Sequence, residues 1–301
     1  MPVIGTPTKR IEGLEKVTGA ARYTEDLQFP GMLHARLVLS PHPHARVTRL
    51  PKDAALGVPG VTAVVTEADL PQPISSHLLA PDGEAVYSGQ PVAVVLATAE
   101  GAASDGAERL AAEMEYEVLP AVLDPQQAMR PDAPLVAQDM KEDEEAGAHA
   151  AVDVKSTAEQ KPRNVATQLK FSRGDIDAGF RQADVIVEHT YRTSRLHQAY
   201  MEPHSTVAAL DPATGALTVY TSTQALFYVR GQVARALGLP EQRVKVVAMT
   251  VGGAFGGKFL LLEPLVAALA LTARRPVRLV LSRRDDFLMS NPGPECEIWL
   301  R

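Results

Sequence analysis

The sequence predicts an α+β protein in two parts, and three observations carry that prediction. Runs rich in β-branched residues and broken by Pro and Gly dominate the first 125 residues, with one helix-spaced segment among them. A stretch poor in large apolar side chains follows. From residue 163 strand and helix signals alternate again as far as Arg301. The boundaries read from these shifts are 1–125 for a first domain, 126–162 for a linker and 163–301 for a second domain. With 301 residues, 46% of them hydrophobic, the chain is long enough to bury a core in each part.

In the first part, "MLHARLVLS" (32–40), "GVTAVVT" (60–66) and "QPVAVVLAT" (90–98) read as strands. Ala103, Ala107, Leu110, Ala111 and Met114 then fall at helical spacing, with Thr98 as the expected N-cap. "EMEYEVLP" returns as a strand, so a compact strand–helix–strand unit is expected to end near 125. Residues 139–162, "DMKEDEEAGAHAAVDVKSTAEQKP", bring four successive acids at 142–145 and too little apolar surface to offset ordering entropy; they read as a solvated linker.

In the second part, "DIDAGFRQA" reads as a short helix with Asp175 and Asp177 at its positive end. "DVIVEHTYRTS" is a strand, and "STVAALDPATGALTVYTST" is a hairpin turning at Pro212 and Gly215. Leu226, Val229, Val233, Ala236 and Leu237 form one stripe of a helix that Gly238 and Pro240 stop. "RVKVVAMTV" is a strand, a helix is expected around Pro264–Ala273, and "PVRLVLS" is another strand. "ECEIWLR" alternates like a final strand and stops at Arg301 without cap or tail, an exposed edge. The expectation is a portion of something longer, or a half completed by another polypeptide.

The net charge of −6 argues against a nucleic-acid or anionic-membrane surface. A single cysteine, Cys296, excludes an internal disulfide and any cysteine-ligated zinc or iron–sulfur cluster built by this chain alone. It is expected to be a small buried hydrophobe. The amino terminus has no apolar signal core and no 18-residue apolar run occurs, so a soluble cytoplasmic protein is expected.

The most informative stretch is "MTVGGAFGGKF" (249–259), with four glycines in residues 252–257 and then Lys258. Gly252–Lys258 satisfies G-x-x-x-x-G-K between a strand and a helix, the setting of a phosphate-binding loop. The next residue should be Ser or Thr to ligate magnesium, and it is Phe259. The dinucleotide pattern G-x-G-x-x-G is absent too. Each glycine costs about 0.5–1 kcal/mol of chain entropy relative to Ala. So many in one turn suggest a backbone that approaches a bulky anionic ligand, with Phe255 at the tip.

"VGGAFGGK" resembles the signature loop of the xanthine dehydrogenase/aldehyde oxidase family of molybdenum hydroxylases. "STQALFYVRGQVARALGLP" (222–240) is similar to that family's Ser-Thr-Gln segment and "HQAYMEPHSTVA" (197–208) to its Met-Glu-Pro segment. "GLEKVTGAARYTEDLQFPGMLHARLVLSPHPHARV" and "YSGQPVAVVLATAEGAASDGAERL" resemble the α/β hammerhead domain that opens the molybdenum subunit. The resemblance covers nearly all of residues 4–290 apart from the linker. It implies an N-terminal α/β hammerhead domain followed by a truncated α+β molybdopterin-binding domain.

The resemblance further implies that Gln224 donates a hydrogen bond to an oxo ligand of molybdenum, and that Gly253, Ala254, Phe255, Gly256 and Gly257 line the cofactor. No residue of the chain is expected to ligate the metal directly. The implied cofactor is molybdopterin with Mo, in the cytosine dinucleotide form. The implied reaction hydroxylates an aldehyde or N-heterocycle with oxygen from water. Electrons would leave through 2Fe-2S clusters and FAD on an iron–sulfur subunit and an FAD subunit, since this chain lacks the cysteines.

Three departures follow from the same comparison. Phe259 stands where purine-oxidising members place a substrate-binding glutamate, which makes Phe259 a candidate for the substrate pocket and xanthine a poor substrate. Glu263, one turn later, is expected to be an exposed first-turn acid. Ala254 replaces a commoner glycine. The family's catalytic base is a glutamate near the carboxyl end of a much longer chain, so no catalytic residue is expected here and residues 1–301 alone are not expected to turn over. The competing expectation is a non-catalytic remnant or assembly module of the same fold. His42 and His44 are expected in a surface loop, Arg173–Asp175 in a helix-entry turn, and Glu202 and His204 in structural roles.

Overall fold

The computed structural model describes residues 4–71, 74, 78–136, 164–165 and 173–301. Most of the expected linker, residues 137–162, lies outside the described residues. The strands are β1 (Leu33–Leu39), β2 (Ala45–Arg49), β3 (Val61–Val65), β4 (Glu84–Ala85), β5 (Pro91–Ala97), β6 (Glu115–Val118) and β7 (His189–Thr193). They continue as β8 (Ser205–Leu210), β9 (Leu217–Thr221), β10 (Val244–Ala248), β11 (Val277–Val280) and β12 (Cys296–Leu300). The chain divides into two compact units. One is Met1–Glu117 with His197–Pro292, and the other is Val118–Leu196 with Gly293–Arg301.

The first unit is built on a seven-stranded mixed sheet of order β10-β9-β8-β11-β1-β5-β3. β1 joins its halves. It runs antiparallel to β5, with Leu37 opposite Val94, and parallel to β11, with Leu33 opposite Val277. Strands from before residue 100 and strands from after residue 200 therefore share one sheet.

β5 shows why an unbroken apolar run becomes an inner strand. Every residue of "PVAVVLA" is buried. Val94 and Leu96 point into the larger core, while Ala93 and Val95 point into a smaller one with Ala107 and Leu110 of the helix Glu100–Glu113. That helix has Ala99 rather than Thr98 at its N-cap. The Thr98 hydroxyl is turned to the Gly60 carbonyl instead, at 3.4 Å.

The expected strand–helix–strand unit does not close on itself. β6 joins a separate three-stranded sheet, β4-β2-β6, laced by Arg46–Glu84 at 2.7 Å and Arg49–Glu115 at 3.1 Å. His44 reaches the same Glu84 at 3.1 Å.

The helix Glu263–Ala273 is the centre of the larger core. Its first eight residues, Glu263 to Ala270, are all buried. Leu265, Val266 and Leu269 each contribute roughly 1.5–3 kcal/mol by leaving water. A helix apolar on every face belongs inside a fold rather than on it. The helix Leu226–Ala236 is amphipathic in contrast, burying Val229, Val233 and Ala234, and it ends before Gly238 (φ +61°) as its sequence predicts.

In the second unit, β7 and β12 pair antiparallel, with Tyr191 opposite Ile298. Asp175 caps the helix Ile176–Gln182 by accepting from the Ala178 N–H at 2.9 Å, so the Arg-Gly-Asp stretch is a helix entry. Cys296 is exposed, contrary to the expectation of burial. Alternation along β12 was the signal, but every residue of both paired strands is exposed, so neither face supplies a core. Among the described residues no helix is long and apolar enough to cross a membrane.

Candidate functional site

Strand directions bring four segments to one end of the seven-stranded sheet. β8 runs antiparallel to both β9 and β11, while β9 and β10 are parallel. The start of β8 therefore lies beside the ends of β9, β10 and β11. Residues 197–204, 222–225, 249–262 and the helix Arg283–Met289 (entered after β11) converge there. Chain ends of strands are where loops can differ without disturbing the sheet, and so where sites are built.

The glycine loop is held from several sides. The Gln224 side-chain Oε1 accepts from the Gly256 N–H at 3.1 Å and the Lys258 N–H at 3.4 Å. The Gln224 backbone N–H donates to the Lys258 carbonyl at 2.7 Å. Two amide donors on one end of the carboxamide identify that end as oxygen. The Nε2 amino group is thereby the end left to donate, on a residue that is exposed. Inside the loop, the Gly257 N–H donates to the Ala254 carbonyl at 2.9 Å, making a tight turn with Phe255 in the left-handed region at φ +51°. Phe255 is 76% exposed, Phe259 is 38% exposed, and Ala254 is buried.

Most of the glycines are explained by packing within the protein, which corrects the argument that their density needs a ligand. A Cβ on Gly252 would sit 2.5 Å from the Glu202 Cβ and 3.3 Å from Tyr23 Cε1. Gly257 and Gly253 face the same crowding from Tyr200. Gly256, alone of the four, has nothing within 4 Å of a Cβ position among the described residues, and its φ is +89°. Gly256→Ala is therefore expected to cost about 1 kcal/mol through backbone strain alone, a melting-point loss of roughly 2–4 °C in a thermal unfolding scan. A stabilised variant would contradict the left-handed backbone there.

Beneath the loop lies a buried charged layer. Lys258 is 1% exposed, and its Nζ donates to Glu202 Oε2 at 2.7 Å and to Ser222 Oγ at 3.4 Å, lying 4.8 Å from the Tyr200 ring centre. Burial pulls the Lys258 ammonium below its ordinary value of 10.5, and the Glu202 carboxylate opposes that pull. The same Glu202 Oε2 accepts from the Gly252 N–H at 2.7 Å. Among the described residues Glu202 Oε1, though buried, has no hydrogen-bond partner.

A second carboxylate, Asp286, is wholly buried. Its Oδ1 accepts from the Tyr200 hydroxyl at 3.1 Å and the His204 N–H at 3.2 Å, and faces His204 Nδ1 at 2.8 Å. Arg283 Nη1 donates to its Oδ2 at 2.9 Å. Burial raises the Asp286 carboxyl, but hydrogen bonds and charge from His204, with help from Tyr200, outweigh it and hold the group below the ordinary aspartate range. Burial, reinforced by the Asp286 charge, pushes the Tyr200 hydroxyl well above its usual value. His204 Nε2 faces the Gly257 carbonyl at 3.1 Å and so carries a proton, tying this layer to the loop.

The structure thus brings Gln224 and residues 252–258 into direct contact and keeps Glu202 and His204 engaged inside the fold, as expected. Glu263 departs from expectation. It is 4% exposed, with Oε1 accepting from the Thr221 hydroxyl and Oε2 from the Leu261 N–H, both at 2.8 Å. Facing inward from a helix start, it ties that start to β9 rather than meeting solvent. Tyr200, Arg283 and Asp286 were not foreseen. The only local signal was the charged run Arg283–Asp286 after a Ser N-cap, where Asp285 and Asp286 look equivalent although only Asp286 is buried. The two carboxylates nearest the loop are turned inward, so the exposed surface offers N–H donors, bare backbone and aromatic rings. Such a surface holds and orients a bound group.

A family model described as a molybdopterin cofactor-binding domain matches residues 157–301. Another, described as aldehyde oxidase and xanthine dehydrogenase, a/b hammerhead domain, matches residues 18–120. The carbon monoxide dehydrogenase large chain of Hydrogenophaga pseudoflava is 35% identical over 283 residues, covering 90% of this chain and 34% of that protein. The nicotinate dehydrogenase large molybdopterin subunit of Eubacterium barkeri is 31% identical, covering 96% of this chain and 64% of its own length. The crystal structure of quinoline 2-oxidoreductase from Pseudomonas putida 86 matches with a TM-score of 0.81 at 28% identity, over 98% of this chain and 36% of that one. The chain therefore spans about a third of the first and last of these relatives.

Proposed function

The chain belongs to the xanthine dehydrogenase/aldehyde oxidase family of molybdenum hydroxylases, and from that premise we propose that it is the N-terminal portion of the molybdenum-cofactor-binding subunit of an oxidoreductase that hydroxylates an aldehyde or N-heterocycle. Its fold is a hammerhead domain followed by a molybdopterin-binding domain of mixed helix and sheet. We divide it as residues 1–125, a linker 126–162, and residues 163–301.

The observation that carries the proposal is the fixed orientation of Gln224. Loop amides occupy its oxygen, so its amino group faces outward as a donor beside the bare backbone of Gly256 and the exposed ring of Phe255. A donor and an uncovered backbone suit an oxo-bearing, anionic cofactor. Gln224 would donate to an oxo ligand of molybdenum, and Gly253, Ala254, Phe255, Gly256 and Gly257 would form the wall against the pterin. When bound, the molybdenum centre supplies the redox chemistry that adds water-derived oxygen to carbon. The chain's own task is to bind, orient and shield. The buried Lys258–Glu202 and His204–Asp286 layer holds the loop in shape without reaching the outer surface.

Phe259 lies on the outer side of the loop and is our candidate for the substrate pocket. An apolar ring there suits a small aromatic or aldehyde substrate better than a purine that needs an acidic partner. The names of the nicotinate and quinoline enzymes agree with an N-heterocycle. The catalytic base is a glutamate outside these 301 residues, so the chain alone would not turn over. We assign 2Fe-2S clusters and FAD to partner subunits, the cytosine dinucleotide form to the pterin, and the cytoplasm as the compartment.

Co-expression with the neighbouring genes, followed by elemental analysis and nucleotide release by acid, tests this. The expected result is stoichiometric molybdenum with released cytosine nucleotide. A complete assembly free of molybdenum would overturn the proposal and favour a non-catalytic module.

A further inference from the structure

We propose that Glu202 is a positioning residue for the Gln224 carboxamide, acting through Lys258. The role of the carboxamide rests on the function proposed above, while the clamp itself stands on the geometry of this chain alone.

The loop from Gly252 to Lys258 is closed by one atom. Glu202 Oε2 accepts from the Gly252 N–H and from Lys258 Nζ, each at 2.7 Å, so the first and last residues of the loop meet on a single carboxylate oxygen. The Glu202 backbone N–H adds a bond to the Gly252 carbonyl at 3.1 Å. Lys258 then carries the constraint onward. Its side chain is fixed on Glu202, and its main chain exchanges bonds with Gln224 in both directions, N–H to Oε1 at 3.4 Å and carbonyl from the Gln224 N–H at 2.7 Å. Thr223 Oγ1 lies 2.9 Å from the Phe259 carbonyl and 3.3 Å from that of Lys258, so its one proton is shared along this segment. Any shift of Lys258 is a shift of the carboxamide.

Stability alone does not account for this pair. Buried ion pairs are seldom better than well-packed apolar residues of the same size. Among the described residues Glu202 Oε1 is also buried with no hydrogen-bond partner, a cost that an apolar pair would not carry. What a charged, directional pair supplies and an apolar one does not is a fixed distance between two backbone points. The Tyr200 ring, 4.8 Å from Nζ, restricts the ammonium further, and the absence of a Cβ at Gly252 lets the carboxylate come close enough to serve both donors.

The test is amide hydrogen exchange on the protein as isolated, followed in peptides covering residues 250–262 and the helix Glu263–Ala273. Glu202→Gln combined with Lys258→Met removes both charges and preserves the packing volume. The combined variant is expected to keep the wild-type melting temperature and the protection of the helix. Exchange in the loop should be at least about tenfold faster. Glu202→Asp, which keeps the charge but shortens its reach, should also speed loop exchange, and it serves if the combined variant does not fold. Wild-type loop protection in either folded variant would overturn the clamp. Loop exchange is read without cofactor, so that failure leaves the molybdenum assignment standing. A molybdenum-free assembly removes the assignment and leaves the clamp.

Discussion

Asp286→Ala is expected to lower the unfolding free energy by about 3–5 kcal/mol, and the melting temperature by roughly 10 °C for a unit of this size. Asp286 is the shared acceptor of a closed layer. Removing it takes the acceptor from the buried His204 backbone N–H, leaves the Tyr200 hydroxyl and His204 Nδ1 only each other at 2.8 Å, and breaks the ion pair with Arg283. Arg283 also donates to the carbonyls of Tyr200 and Met201 at 2.8 Å, so the segment before β8 loosens with it. The effect carries a pH signature. The native carboxyl lies below the ordinary aspartate value of 3.8, so the unfolded chain binds the proton first as pH falls. The contribution of Asp286 is complete above that value and fades as pH drops through the depressed native one. Urea titrations followed by circular dichroism at pH 7 and near pH 3 should show the gap between wild type and Asp286→Ala narrowing at the lower pH. An equal gap at both would refute the ionised role.

Gly252→Ala is the second large effect, again about 3–5 kcal/mol. The new methyl group would lie 2.5 Å from the Glu202 Cβ, close to the backbone and so unable to swing clear. Glu202 has to move, and its bonds to Gly252 and Lys258 go with it. The informative comparison is Gly256→Ala, four residues along in the same loop, where open space limits the change to strain. If calorimetry places the two variants within 1 kcal/mol of each other, the packing account of the loop is wrong. In the assembled enzyme Gly252→Ala is expected to retain less molybdenum as well.

Local signals were readable wherever a residue's neighbours in sequence decide its fate. The apolar run of β5, the stop at Gly238 and the cap at Asp175 need only a few adjacent residues to recognise. The association of Gln224 with the glycine loop was legible because two short motifs with fixed chemistry mark it. Burial of acids was not legible. Glu263 and Asp286 both sit in first helical turns, where an acid is ordinarily stabilised at the surface by the helix dipole. Partners distant in sequence, Thr221 for one and Tyr200 and His204 for the other, join local ones in making the interior acceptable. Cys296 erred in the opposite direction, because alternation reveals that a strand has two faces without telling what covers either. The pairing of β1 with β11 has no local trace at all, since each strand is an ordinary apolar run.

That pairing has a consequence for synthesis of the chain. His34 and Arg278 are neighbours in the finished sheet yet 244 residues apart in sequence. At about 5–20 residues per second, a ribosome needs roughly 10–50 s to travel between them. During that interval β1 can pair with β5, and β5 with β3, but the other side of β1 has no native partner to meet. A nascent chain thus carries an open, apolar strand edge for most of its translation, the feature most prone to capture by another polypeptide. Yield of this protein should depend on elongation rate and on holding chaperones more steeply than its finished stability suggests.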